Sequence, residues 1–147
     1  MMSTGSKATI RVTHRYSAPA ERVFDAWLDP KTAAKWLFAT PTGQITRLEI
    51  DARPGEKFTI VRREREEEFE HVGEYLEIDR PRRLVFTFGV PKLSPETSRV
   101  AIEIARVGSG CELTLTQEAV LPDYAERNVK GWTMILDSLD GSLGDTA

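Results

Sequence analysis

The sequence is poor in the residues that build disulfides and metal sites. Its 147 residues include one cysteine, Cys111, and two histidines, His14 and His71. A single thiol cannot close a disulfide within the chain. A zinc site made from these side chains would also need a carboxylate, and no ligand-spacing motif is present. We therefore expect a fold that holds no metal and no other cofactor.

Long apolar runs and an excess of positive charge are also missing. No apolar stretch approaches the ~20 residues of a membrane-spanning helix, and residues 1–7 lack the apolar core of a signal peptide. The 20 lysines and arginines against 23 aspartates and glutamates give a net charge of −3, whereas nucleic-acid-binding domains are usually basic. We expect a soluble, cytoplasmic protein with no membrane span and no nucleic-acid partner.

The length and composition favour one globular domain. A chain of 147 residues that is 40% hydrophobic and 29% charged has the balance of a folded protein. By surface scaling, a chain of this mass buries about two-thirds of its surface on folding, so its core is stable without disulfides or a metal ion. We predict a loose tail over residues 1–7 and a single domain over residues 8–147.

Hydrophobic periodicity predicts the order of the elements. Apolar residues alternate over 8–16, which indicates a strand, and two short helical patterns follow up to Trp36. Alternating segments joined by short turns then continue to residue 120, which indicates an antiparallel sheet. The last helix should begin at 122–125 and reach about residue 140, because Trp132, Leu136 and Leu139 fall at helical spacing.

This order predicts an α+β architecture. We expect a curved antiparallel sheet of six to seven strands wrapped around the long C-terminal helix, with two short helices after the first strand. Only the last helix is long enough to cover such a sheet. A curved sheet gripping one helix leaves space in which small-molecule pockets form.

Four stretches of the sequence resemble a known family. They run over 16–27, 51–58, 73–88 and 112–118, and Gly131-Trp132 with the leucines after it completes the pattern. Together they are similar to the START-like (SRPBCC, birch-pollen-allergen-like) helix-grip superfamily. Within it, they resemble the Aha-type family, the homologues of the activator of the heat-shock-90 ATPase, in a single-domain form.

The resemblance implies the helix-grip fold and several functions. Members of the superfamily are ligand carriers, lipid binders, aromatic polyketide cyclases and chaperone activators. The sequence departs from the family pattern at Glu56, Phe88 and Gln117, where glycine, tryptophan and histidine are common. An amide cannot act as an acid or base at neutral pH, so Gln117 favours recognition over catalysis.

We predict that the protein binds a small, largely apolar molecule between the sheet and the last helix, and we assign no catalytic residue. The residues expected to line the cavity are Trp36, Phe58, Phe86, Phe88, Gln117, Trp132 and Leu136. One alternative is a protein-interaction module that binds a chaperone, as in heat-shock-90 ATPase activators.

The other alternative is a cyclase- or hydrolase-like enzyme that uses polar groups in the cavity. The candidates for such groups, besides Gln117, are His14, Arg62 and Glu74, because each shares strand parity with apolar neighbours. His71 follows an acidic turn, and we expect it to be exposed.

Overall fold

The structure is a computed structural model that describes residues 7–37, 43–92 and 97–144. Apart from Lys7, the predicted N-terminal tail lies outside the described residues. In chain order the elements are β1 (Ala8–Tyr16), α1 (Ala20–Leu28), α2 (Pro30–Trp36), β2 (Gln44–Ile50), β3 (Lys57–Glu64), β4 (Glu67–Asp79), β5 (Arg83–Phe88), β6 (Ser98–Val107), β7 (Gly110–Val120), a 3-10 turn (Pro122–Tyr124) and α3 (Ala125–Gly144).

The strands form one antiparallel sheet of seven, in the order β1-β7-β6-β5-β4-β3-β2. Strands adjacent in the chain from β2 to β7 are also adjacent in the sheet, and β1 closes against β7. The predicted α+β fold, with two short helices after the first strand, is confirmed. In the described part of the chain, no helix has the length and apolar character needed to cross a membrane.

The helix α3 packs its apolar stripe against the inner face of the sheet, mainly over β1. Trp132, Leu136, Leu139 and Leu143 are all buried, as the spacing predicts. The Tyr16 hydroxyl on β1 donates a buried hydrogen bond of 2.9 Å to the carbonyl oxygen of Leu136. This bond and the buried stripe set how the helix lies on the sheet.

The short helices α1 and α2 close one end of the core. Trp27 and Trp36 meet edge to face with ring centroids 4.7 Å apart, and Trp36 Nε1 donates to the carbonyl oxygen of Ala26 at 3.1 Å. From α1, the Arg22 guanidinium donates at 2.6 Å to the carbonyl oxygen of Leu143 in the last turn of α3. A positive charge at a helix C-terminus is favourable, so Arg22 joins the two helices.

The strand β4 changes its pairing partner just after Gly73, between Glu74 and Tyr75. Residues 67–74 pair with β3, whereas residues 75–79 pair with β5. A Cβ atom on Gly73 would lie 1.9 Å from the carbonyl oxygen of Thr87 and 2.5 Å from the ring of Phe58. The backbone therefore approaches its neighbours more closely than any residue with a side chain allows.

We expect Gly73→Ala to lower the free energy of unfolding by at least about 1–3 kcal/mol, the usual cost of overpacking. The matched control is Gly131→Ala on α3, where an added Cβ meets no atom within 4 Å. Alanine is the better helix former, so this control should raise stability by about 0.5–1 kcal/mol. Urea denaturation of the three proteins measures both effects, and equal stability of Gly73→Ala and the wild type would contradict the close approach.

Candidate functional site

The structure divides the predicted cavity residues between two places. Trp36, Phe58 and Phe86 belong to an aromatic cluster under α1 and α2, where the rings of Phe58 and Phe86 meet edge to face at 5.5 Å. Phe88 and Trp132 meet at 5.6 Å near the start of α3. Gln117 lies on β7 and Leu136 on α3.

The aromatic cluster encloses almost no free space. A void of about 10 Å³ remains among Trp27, Leu37, Phe58, Ile60, Tyr75, Leu84 and Phe86. Such a void holds about one water at most. Within the described residues, the buried indole nitrogen of Trp27 has no hydrogen-bond partner. Leu136 is fully buried in the core, so it packs rather than faces an open space.

A larger pocket of about 350 Å³ lies at the N-terminal end of α3, where it faces the ends of β5, β6 and β7. We call it the helix-end pocket. It is lined by Phe88, Gly89, Val90, Thr97, Ser98, Gln117, Ala119, Val120, Leu121, Tyr124, Arg127 and Asn128. Its size and mixed, largely apolar lining are typical of small-molecule sites.

A still larger depression of about 910 Å³ lies on the outer face of the sheet. Its lining includes Arg11, Arg82, Glu103, Arg106 and Glu112, all charged. Small-molecule sites are predominantly apolar. This depression is therefore a charged surface groove, and the helix-end pocket is the better candidate for a ligand.

The alternation of β7 carries Gln117 into the interior. Leu113, Leu115 and Gln117 are all buried, with Gln117 only 2% exposed. Its Oε1 accepts hydrogen bonds from Trp132 Nε1 at 2.9 Å and from Asn128 Nδ2 at 3.3 Å. An indole nitrogen can only donate, so the amide oxygen has to face Trp132. The amide nitrogen and its two N–H groups then face away from the helix contact.

A bulge in β7 follows Gln117 directly. Ile10 pairs with Gln117 but Ala8 pairs with Val120, so β7 holds one extra residue between these pairs. Ala119 has a φ of 63°, a left-handed conformation that costs an alanine about 1–2 kcal/mol. The extra residue turns Val120 inward, where it is 3% exposed, so Gln117 and Val120 both face the interior at the pocket.

The prediction for His71 is wrong, because this side chain is only 6% exposed. Its Nδ1 donates to the carbonyl oxygen of Ile60 at 3.1 Å, and its ring stacks on Phe88 with centroids 6.0 Å apart. His71 shares parity with the buried Tyr75 on β4, a signal that could have placed it inside. Burial, with a smaller effect from the nearby Arg62 charge, lowers the pKa of His71 to about 4, although the hydrogen bond to Ile60 acts in the opposite direction.

His14 lies on the inner side of β1, but along α3 rather than at the pocket. Its Nε2 is 3.2 Å from Asp140 Oδ2 and its Nδ1 is 3.4 Å from Asp137 Oδ1. Its ring also lies 4.4 Å from that of Tyr16. His14 therefore links the last turns of α3 to the edge of the sheet.

Arg62 and Glu74 lie on β3 and β4. The Arg62 Nε is 3.4 Å from Glu64 Oε1, and its guanidinium lies over the ring of Phe69 at 5.1 Å. The backbone N–H of Glu74 donates to the Thr87 hydroxyl at 2.9 Å. The candidate polar groups thus have separate surroundings. In the part of the chain that the structure describes, no three His, Cys, Asp or Glu side chains form a group able to hold a metal ion.

Comparison with known families and structures bears on the fold and the family. The family model described as "Activator of Hsp90 ATPase homolog 1-like protein" matches residues 17–144. No curated protein matches the chain.

Several solved structures superpose on it closely. A protein from Chromobacterium violaceum shares 30% identity at a TM-score of 0.82, with 90% of this chain and 94% of that one covered. The AHSA1-like protein from Aeromonas hydrophila shares 21% identity at a TM-score of 0.83, covering 95% and 94%. A Nitrosomonas europaea protein shares 20% identity at a TM-score of 0.80, covering 95% and 96%.

Burial of neutral His71 should make the fold sensitive to acid. Its pKa is about 4 when folded, against an ordinary value of 6.5, so the unfolded chain binds more protons between these values. The contribution of His71 is present above pH 6.5 and is lost as the pH falls toward 4, with a maximum slope of about 1.4 kcal/mol per pH unit. Urea titrations of the wild type and His71→Asn at several pH values measure it, since the difference removes the carboxylate titrations common to both. Parallel curves would contradict the burial of a neutral ring.

Removal of the Gln117 amide oxygen should leave the buried indole N–H of Trp132 without a hydrogen-bond acceptor. We expect Gln117→Leu to lower the free energy of unfolding by about 1–3 kcal/mol, the cost of an unsatisfied buried donor. In a Trp132→Phe background, which has no indole donor, the same change should cost clearly less. Thermal melts of the four proteins complete this double-mutant cycle. An equal cost in both backgrounds would mean that the hydrogen bond contributes nothing.

Proposed function

Because the chain belongs to the family of Activator of Hsp90 ATPase homolog 1-like proteins, we propose that it uses this fold to bind a small, largely apolar molecule in the helix-end pocket. The observation that carries the proposal is the pairing of an apolar wall with one buried amide, Gln117. The pocket volume of about 350 Å³ lies within the range that small-molecule ligands occupy. A few placed polar groups then orient the ligand.

The rim of the pocket supports the entry of an apolar molecule. Leu121 and Tyr124 line the pocket and are 40% and 46% exposed. Leu121 directly precedes the 3-10 turn, and Tyr124 is the last residue of that turn, immediately before α3. A ligand that covers these side chains removes apolar surface from water, which contributes about 25 cal/mol per Å².

The pocket is suited to binding rather than to proton transfer. Gln117 cannot accept or release a proton at neutral pH. On β7 and β1, Gln117 pairs with Ile10, whereas His14 pairs with Leu113, so about 13 Å of strand separates the amide from the imidazole. A general base has to reach the reacting group within hydrogen-bond distance or through one water, and His14 therefore does not serve this pocket.

A protein-interaction module, such as a chaperone activator, is the second candidate, and one observation favours it. The aromatic cluster that contains Phe58 and Phe86 leaves a void of only about 10 Å³, so the centre of the sheet holds packed side chains rather than a ligand. A filled interior is what an interaction module needs. The two candidates differ in whether the helix-end pocket binds a small molecule.

Thermal melts with a panel of apolar and aromatic compounds test the proposal. A ligand that binds only the folded state adds RT ln(1 + [L]/Kd), about 2.7 kcal/mol at one hundred times Kd. We expect Thr97→Trp, which places a large ring at the exposed pocket wall, to abolish the shift. The control is Thr9→Trp on the exposed side of β1, which should keep it.

Two outcomes would count against the proposal. If no compound shifts the melting temperature, the interaction module becomes the better candidate. If a compound binds Thr97→Trp as tightly as the wild type, the ligand occupies another part of the molecule.

A further inference from the structure

Gln117 and Arg127 bring hydrogen-bond donors to the helix-end pocket. The oxygen of the Gln117 amide is taken by Trp132 and Asn128. Its two N–H groups remain available, because among the described residues none accepts a hydrogen bond from that nitrogen. The amide nitrogen is not among the fully enclosed polar atoms that lack a partner, so it is accessible from the pocket. A ligand oxygen in the pocket can therefore accept hydrogen bonds from it.

The charged side chain found in the lining of the pocket is positive. Among the described residues that line the pocket, Arg127 is the one that carries a charge. Its guanidinium lies 5.5 Å from the centre of the Tyr124 ring at the rim. No described carboxylate forms an ion pair with it, and Arg127 directly precedes Asn128, which contacts the buried amide. The pocket therefore attracts an anion and disfavours a cation.

The apolar residues of the lining indicate the chemistry of the rest of the ligand. Phe88, Val120 and Leu121 supply apolar wall between the buried amide and the exposed rim. One positive charge matches the single charge of a carboxylate better than the −1.5 to −2 of a phosphate monoester. The two oxygens of a carboxylate also accept from an amide and a guanidinium at once.

We propose that the ligand is an amphipathic carboxylic acid, whose carboxylate accepts hydrogen bonds from the Gln117 amide N–H groups and from Arg127. Its apolar body lies against Phe88, Val120 and Leu121. This inference rests on the proposed function, and it adds the chemical class of the ligand to it. Gln117 recognises the acceptor, and Arg127 selects the charge.

Three probes of one chain length separate the two proposals. Decanoate, decanol and decylamine share an apolar body and differ in the head group, and each is used below its micelle concentration. Calorimetric titration of the wild type should give decanoate an affinity about tenfold or more above that of decanol, as expected for a charge-assisted hydrogen bond. Decylamine should bind most weakly, because its ammonium faces Arg127 and offers the amide no acceptor.

Variants at the exposed arginine test the head-group preference without disturbing the core. Arg127→Gln should lower the affinity for decanoate to that for decanol and leave the affinity for decanol unchanged. Lys130→Gln is the matched control, since it removes one exposed positive charge of α3 that does not line the pocket. It should keep the preference. Raised salt should weaken decanoate binding in the wild type more than in Arg127→Gln.

The amide contact has its own spectroscopic signature. In a ¹H–¹⁵N spectrum, decanoate should shift the side-chain N–H₂ pair that disappears in Gln117→Leu. It should also shift the indole N–H signal that disappears in Trp132→Phe, because this N–H donates to the oxygen of the same amide. Decanol should move them less.

The outcomes are distinguishable. Equal binding of all three probes, blocked by Thr97→Trp, would leave the proposed function standing and overturn the carboxylate. Binding of decanoate that Arg127→Gln does not weaken would also overturn it. If none of the three binds but a compound of the thermal panel does, the carboxylate is overturned and the proposed function stands. If no compound of either set binds, both fall.

Discussion

The structure depends on how α3 is held against the concave face of the sheet. Trp132, Leu136, Leu139 and Leu143 are buried there, and Tyr16 and Arg22 attach to the helix carbonyl groups of Leu136 and Leu143. Burial of these side chains is the larger stabilising effect, at roughly 1.5–3 kcal/mol each. The hydrogen bonds set the position of the helix. Every pocket of the inner face exists only in the space that this packing leaves.

That space is unevenly distributed. Under α1 and α2, aromatic rings fill the interior to a void of about 10 Å³, and the Phe58 ring and Thr87 lie directly against the backbone of Gly73. At the other end, the bulge of β7 and the start of α3 leave about 350 Å³ beside Gln117. A family fold therefore carries a site only where local backbone features open it. In this chain these features lie around Gln117.

Gln117 has a structural role in the core, and the proposed function gives the same side chain a binding role. Its oxygen satisfies the buried indole of Trp132, and this contact orients its N–H groups. The strand parity of β7 predicts that the amide faces inward, and the structure agrees. Parity did not predict that the amide oxygen, and not the amide nitrogen, faces Trp132. The indole N–H of Trp132 can only donate, and Trp132 lies one helix turn after Asn128, so both donors reach the same amide oxygen.

Periodicity and turn residues are local signals, so they predict the order of the elements, the antiparallel sheet, the buried stripe of α3 and the inward face of β7. The tertiary structure then packs Trp36, Phe58 and Phe86 together, away from Gln117. It also decided that His71 is buried and that His14 meets Asp137 and Asp140. The physical reason is that burial and free volume arise from contacts between strands and helices distant in the chain. Parity predicts which face of a strand a side chain lies on. The residues that this side chain contacts depend on tertiary features such as the close approach at Gly73 and the bulge at Ala119.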